Sequence, residues 1–122
     1  MDEEGIGLMK IAIPTAEKSM DAHVGDVFGR SPVFLIYDIE SKGHEFIEND
    51  ALHRPGGAGV QAAQLLVDHK VDVVITPQCG EKAQEVLRRA EIRICRSIEG
   101  SLQHNLQACL NDKLTDLEGG KQ

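Results

Sequence analysis

From Lys10 onward, short runs of β-branched and aliphatic residues alternate with apolar stripes at helical spacing, and that rhythm predicts an α/β domain. Lys10-Ile11-Ala12-Ile13-Pro14 is a strand stopped by a proline that cannot donate to a ladder. Thr15 to Asp26 is polar and aperiodic, which predicts a surface loop of a length that often carries function. Pro32 precedes a second strand, Val33 to Ile39, and Ser41-Lys42-Gly43 turns the chain back into a third, His44 to Asn49. From Ala58 the period changes: Val60, Ala63 and Val67, widened by Ala62, Leu65 and Leu66, form a buried helical stripe ending near Asp68-His69-Lys70. Val71 to Thr76 is a fourth strand, and Ala83, Val86, Leu87 and Ala90 mark a second helix. Ile92 to Cys95 is a fifth strand, and Ser101 caps a last helix whose stripe is Leu102, Leu106, Cys109 and Leu110.

The order β, loop, β, β, α, β, α, β, α demands a mixed sheet, an antiparallel meander followed by right-handed crossovers that place helices on its faces. Residues 1–8 read as a flexible acidic tail, 9–114 as one domain and 115–122 as a frayed C-terminus. A chain of 122 residues with 41% hydrophobic content buries a core without disulfides or a structural metal. Aromatic residues make up 3% and Trp is absent, so that core is aliphatic, as in buried parallel sheets.

Charge and cysteine usage remove several function classes. The formal charge of −7 repels phosphate backbones, and no basic stripe interleaved with aromatics offsets it, which argues against nucleic-acid binding. No apolar run reaches the ~18 residues of a membrane span. The start Met1-Asp2-Glu3-Glu4 has the wrong sign for a secretory signal, so a cytoplasmic protein is expected. Cys79, Cys95 and Cys109 include no Cys-x-x-Cys pair, which speaks against a disulfide framework or four-cysteine zinc site and for reduced thiols.

The candidate chemistry centres on Arg54-Pro55-Gly56-Gly57-Ala58-Gly59-Val60, a glycine-rich turn running into a helix whose first amides have no intrahelical partner. Gly56, Gly57, Ala58 and Gly59 let a backbone approach an anion closely, or simply make a tight strand-to-helix connection; the sequence leaves both open. Arg30 pairs either with an anionic ligand or with a carboxylate such as Asp26 or Asp38. Cys79, beside Gly80 where the fourth strand gives way to a helix, is the leading metal-ligand candidate because helix N-termini depress thiol pKa, although a free cysteine also packs as a small hydrophobe. His53 is a possible second metal ligand, and His23, in the long polar loop, is a candidate for contact with the same cofactor, as is Gly80. Cys109 reads as core, Cys95 as undecided, and His44, His69 and His104 as solvent-facing.

Four segments carry a resemblance: Met9 to Pro14, Phe28-Gly29-Arg30-Ser31-Pro32-Val33-Phe34, Gly56 to Gln64, and Val71 to Thr76. Together they resemble the dinitrogenase iron-molybdenum cofactor biosynthesis family, which includes NifX- and NafY-like accessory proteins and the orange protein of sulfate reducers. The resemblance implies a three-layer ribonuclease-H-like fold, a five-stranded sheet of order 3-2-1-4-5 with strand 2 antiparallel. It also implies a non-catalytic carrier that stores, protects or delivers an anionic metal–sulfur cluster, of iron–molybdenum or molybdenum–copper sulfide type, which recombinant protein can lack. Its partners are then a cluster donor or acceptor protein, and it is a monomer or weak dimer. The chain departs from the family at Val27, where some relatives have histidine, and at Pro77-Gln78-Cys79-Gly80, which adds a thiol.

Two rival functions remain. A metal-dependent phosphoryl-transfer enzyme needs clustered carboxylates, and the first strand offers only Lys10, Ile11, Ala12 and Ile13. A cluster-free regulatory or scaffold domain fits the acidic surface.

Overall fold

All five strands send alternate side chains to opposite faces of the sheet, and this period of two divides the interior into two cores. The computed structural model describes residues 9–53 and 56–117. Its strands are β1 (Lys10–Thr15), β2 (Val33–Asp38), β3 (Gly43–Glu48), β4 (Val73–Thr76) and β5 (Arg93–Arg96). Its helices are α1 (Ala58–Asp68), α2 (Glu81–Arg89) and α3 (Leu102–Leu110). The sheet order is β3-β2-β1-β4-β5. β2 runs antiparallel to β1 and β3, while β4 is parallel to β1 and β5 to β4, which is the mixed three-layer topology expected from the sequence.

On one face Ala12, Phe34, Ile36, Val74 and Ile94 pack under Ala62, Ala63 and Leu66 of α1 and Ala83 and Leu87 of α2. On the other, Ile11, Ile13, Leu35, Val73 and Ile75 lie beneath Leu102 and Leu106 of α3. Among the described residues no helix is long and apolar enough to cross a membrane.

Two boundaries differ from the sequence reading. Pro14 does not end β1, which continues to Thr15; the Pro14 carbonyl accepts the Gly25 N–H at 2.7 Å, so its absent donor points away from β2 and breaks no bond there. The chain after α3, expected to fray, stays docked through Leu117. Leu114 and Leu117 are buried, Arg96 N–H donates to Thr115 O at 2.8 Å, and Leu117 N–H donates to Ile94 O at 2.9 Å. An edge strand presents unpaired backbone groups, and this segment covers those of β5. The predicted tail at 1–8, Arg54 and Pro55, and positions 118–122 lie outside the described residues.

The loop between β1 and β2 ends in a 3-10 turn, Phe28–Arg30, laid on the first turn of α1. A Cβ added to Gly29 would stand 2.7 Å from both Cα and N of Gly59, so two backbones touch where no methyl fits. Buried Asn49 fixes the same turn: its Nδ2 donates to Ser31 O at 2.7 Å and Gly29 O at 3.2 Å, and its Oδ1 accepts the Ala51 N–H at 3.1 Å. Replacing Gly29 with Ala forces backbone apart and is expected to lower unfolding free energy by about 1–3 kcal/mol in urea titrations. Asn49→Ala strands two carbonyls and one N–H in the interior, with an expected loss of about 2–3 kcal/mol. Losses under about 0.5 kcal/mol for both variants would mean that the turn is held by something else.

Candidate functional site

Both helices on the first face start at a glycine and lack a side-chain cap. Gly57 precedes α1 with φ of 72°, in the left-handed region where any side chain is strained. Gly80 precedes α2 with an ordinary φ of −60°. The first intrahelical bonds run from Gln61 N–H to Gly57 O and from Gln84 N–H to Gly80 O. The amides of residues 58–60 and 81–83 therefore have no acceptor within their own helices. Both helix starts line one open cavity of about 480 Å³, whose lining also includes Val27 to Arg30, Gln78 and Cys79.

The glycines thus divide between the two roles that the sequence left open. A Cβ at Gly57 or Gly80 would meet nothing within 4 Å, so the space before them is free for a ligand, whereas Gly56, equally open, is not part of the cavity lining. Gly59 instead gives its backbone to the contact with Gly29, a packing role. Ala58 is buried at the head of α1 and adds an amide to the wall.

The wall charges are Arg30 and Lys82 against Glu81, reinforced by two positive helix ends, so this cavity is locally positive on a protein of net charge −7. A neighbouring hollow of about 560 Å³, formed within residues 15–32, has the opposite character, with Glu17, Asp21 and Asp26 in its lining. Arg30 borders both, whereas His23 lines only the acidic hollow. The His23 backbone is pinned there by a bridge to Ser101 and by the Thr15 hydroxyl, which donates to its carbonyl at 3.0 Å. The structure therefore does not bring His23 to the two-helix cavity, despite their shared loop.

Cys79 lines the cavity but does not have the acidic thiol expected at a helix start. Its side chain packs in the apolar core beneath α2, and burial pushes the thiol up to about 12, with the Arg88 guanidinium opposing only in part. The thiol is protonated at neutral pH, and desolvation outweighs the nearby helix end. Gln84 holds the loop, donating from Nε2 to Cys79 O at 2.8 Å, and its Oε1 is a buried acceptor left unpartnered. His53 closes a 3-10 turn, Asp50–His53, and its side chain lies outside the described ones. Among the described residues, no group of three or more His, Cys, Asp or Glu is placed to hold a metal ion.

Three contributors escaped sequence reasoning. Lys82 was hidden in an amphipathic helix, and Asn49 acts on Gly29 across 20 positions of sequence. Gln78 reaches even further, donating from Nε2 to Asp26 O at 3.2 Å. The one local signal was the pair Asn49-Asp50 after a strand, an Asx-turn pattern that says nothing about its distant partner.

Comparison with known proteins agrees with this architecture. The chain superposes on the apo orange protein of Desulfovibrio gigas with a TM-score of 0.86 and 26% identity, covering 92% of this chain and 95% of that one. A Thermotoga protein solved by NMR matches with a TM-score of 0.82 and 30% identity, over 94% and 98% of the two chains. An uncharacterised protein of Methanocaldococcus jannaschii is 31% identical over 116 residues, 93% of this chain and 95% of the relative. With residues 9–112 matching the family's sequence model, the chain belongs to the dinitrogenase iron-molybdenum cofactor family.

Proposed function

We propose that this protein binds an anionic metal–sulfur cluster in the two-helix cavity and carries or protects it for a donor or acceptor protein. The observation that supports this most directly is the convergence of two uncapped helix starts on one open, locally positive space. Each helix end acts as roughly +0.5 charge, so the pair supplies about +1 to a bound anion. Lys82 balances Glu81 in the lining, so the two helix ends set the local sign, while most of the acidic surface is screened beyond a Debye length of about 8 Å.

Amide and guanidinium donors hydrogen-bond to the sulfur or oxygen periphery of a cluster and leave its metals untouched, which suits transient holding of an intact guest. The bare surfaces of Gly57 and Gly80 let such a guest reach the amides. Cys79 contributes a neutral thiol to the wall; to ligate a metal it must first lose a proton that burial retains. Family membership supports an iron–molybdenum type of cargo, and the likeness to the orange protein keeps a molybdenum–copper sulfide beside it. The role is binding rather than catalysis. Asp38, the acid at the end of β2, is engaged in its own turn, where Oδ1 accepts the N–H groups of Glu40 at 2.9 Å and Ser41 at 3.2 Å.

Anaerobic titration with tetrathiomolybdate, alone and with Cu(I), is expected to give a saturable visible absorption change and retained molybdenum after gel filtration. Gly80→Asp separates binding from folding, because the carboxylate caps the α2 amides itself. It is expected to keep or slightly raise the unfolding free energy, by a few tenths of a kcal/mol, while weakening cluster uptake at least about tenfold. Uptake should also weaken as salt rises from 0.05 to 0.5 M, roughly several-fold. Undiminished uptake by Gly80→Asp removes the cavity as the site, and no uptake by any variant leaves the scaffold reading in its place.

A further inference from the structure

Cys95 of β5 and Cys109 of α3 meet on the face of the sheet opposite the two-helix cavity. Cys95 is 1% exposed, whereas Cys109, expected in the core from its helical stripe, is half-buried and reaches the surface. Cys109 packs against the apolar cluster that contains Cys95, and the two thiols are near enough to act on each other. Two neighbouring thiols, one shielded and one accessible, are the arrangement required of a resolving and an attacking cysteine.

We propose that Cys95 and Cys109 form an intramolecular disulfide on exposure to a hydroperoxide, making this face a reversible thiol-oxidation site. The Cys109 thiolate attacks one peroxide oxygen; the O–O bond breaks, an S–O bond forms, and the departing oxygen takes a proton and leaves as water or an alcohol. Cys95 sulfur then attacks the Cys109 sulfenic acid, forming the S–S bond as the S–O bond breaks, and the Cys95 proton leaves with the oxygen as water. Two thiols are oxidised by two electrons in all, and one peroxide is reduced. A dithiol reductant reverses the step by exchange.

The electrostatics assign the two roles. Interaction with Cys95 holds the Cys109 thiol below its ordinary range, with Arg93 aiding and burial and Asp112 opposing. The same interaction, with burial, pushes Cys95 up, so Cys95 is the protonated partner. Arg93 is held beside the pair by Asp116, its Nε donating to Oδ1 at 2.8 Å, and Asp116 itself bridges to Cys95 through the backbone. Cys79, buried on the opposite face with its proton firmly held, does not compete.

The test uses the full chain, reduced, then treated with one equivalent of hydrogen peroxide, blocked with N-ethylmaleimide and digested with trypsin. The expected result is a mass lower by two hydrogens before digestion and a disulfide joining peptide 94–96 to peptide 97–113, with Cys79 alkylated in peptide 71–82. Before oxidation, Cys109 should react with iodoacetamide at neutral pH at least about tenfold faster than Cys79. Cys95→Ala removes both the resolving thiol and the group that lowers Cys109, so Cys109 should be oxidised more slowly and only as far as a sulfenic acid captured by dimedone, with no cross-link, and Cys109→Ser should leave Cys95 unoxidised at the same dose. Disulfides only between chains, oxidation that begins at Cys79, or Cys109 over-oxidised without a cross-link would each overturn the assignment. None of these readouts depends on cluster uptake, so this inference and the anion-binding one fail separately.

Discussion

The backbone-on-backbone contact between Gly29 and the start of α1 organises the functional end of this molecule. With no side chain between them, the Phe28–Arg30 turn and the first turn of α1 approach so closely that Arg30 is brought to the mouth of the helix. Phe28 anchors the turn from below, buried at a ring-centroid distance of 5.4 Å from Phe34. Asn49 ties its carbonyls from the third side. A loop that reads as polar and aperiodic is thereby immobilised at its last few residues, and the cavity inherits a fixed wall.

Charge on this protein has to be considered place by place. The overall value of −7 describes the surface at a distance, where it disfavours nucleic acid and other polyanions. Within the cavity the nearest groups are amide dipoles, with Lys82 beside Glu81 and Arg30 at the rim, and short range decides the sign there. Two hollows that share Arg30 consequently differ in character, one walled by helix starts and the other lined by carboxylates.

The sheet also separates two kinds of sulfur chemistry. Cys79 lies under α2 as a neutral, buried thiol, while Cys95 and Cys109 lie under and along α3 as a neighbouring pair. Alternation along β5 turns Cys95 to the α3 face, whereas Cys79, in the loop between β4 and α2, packs on the other, so the sheet lies between them. The α3 side is coupled to the long loop by backbone bonds, Leu102 N–H to Ala22 O at 2.8 Å and Gln103 N–H to Met20 O at 3.0 Å. The helix carrying Cys109 is therefore the one that braces the segment bearing His23.

The sequence by itself determined the elements, their order and the glycine-rich helix start, because strand alternation, helical stripes and turn residues are local signals. Pro14 and the stretch from Leu114 to Leu117 depart from the local pattern only where a distant segment supplies or needs a partner: Gly25 for the first, the open edge of β5 for the second. Tertiary structure alone decided the rest. It put Gly80 beside Gly57, placed His23 in the wrong hollow for an anion site, and paired Cys95 with Cys109. It also reversed the expectation for Cys79. A helix N-terminus is visible in sequence, but the apolar packing that withholds water from a thiol is assembled from residues remote along the chain, and desolvation is the stronger effect.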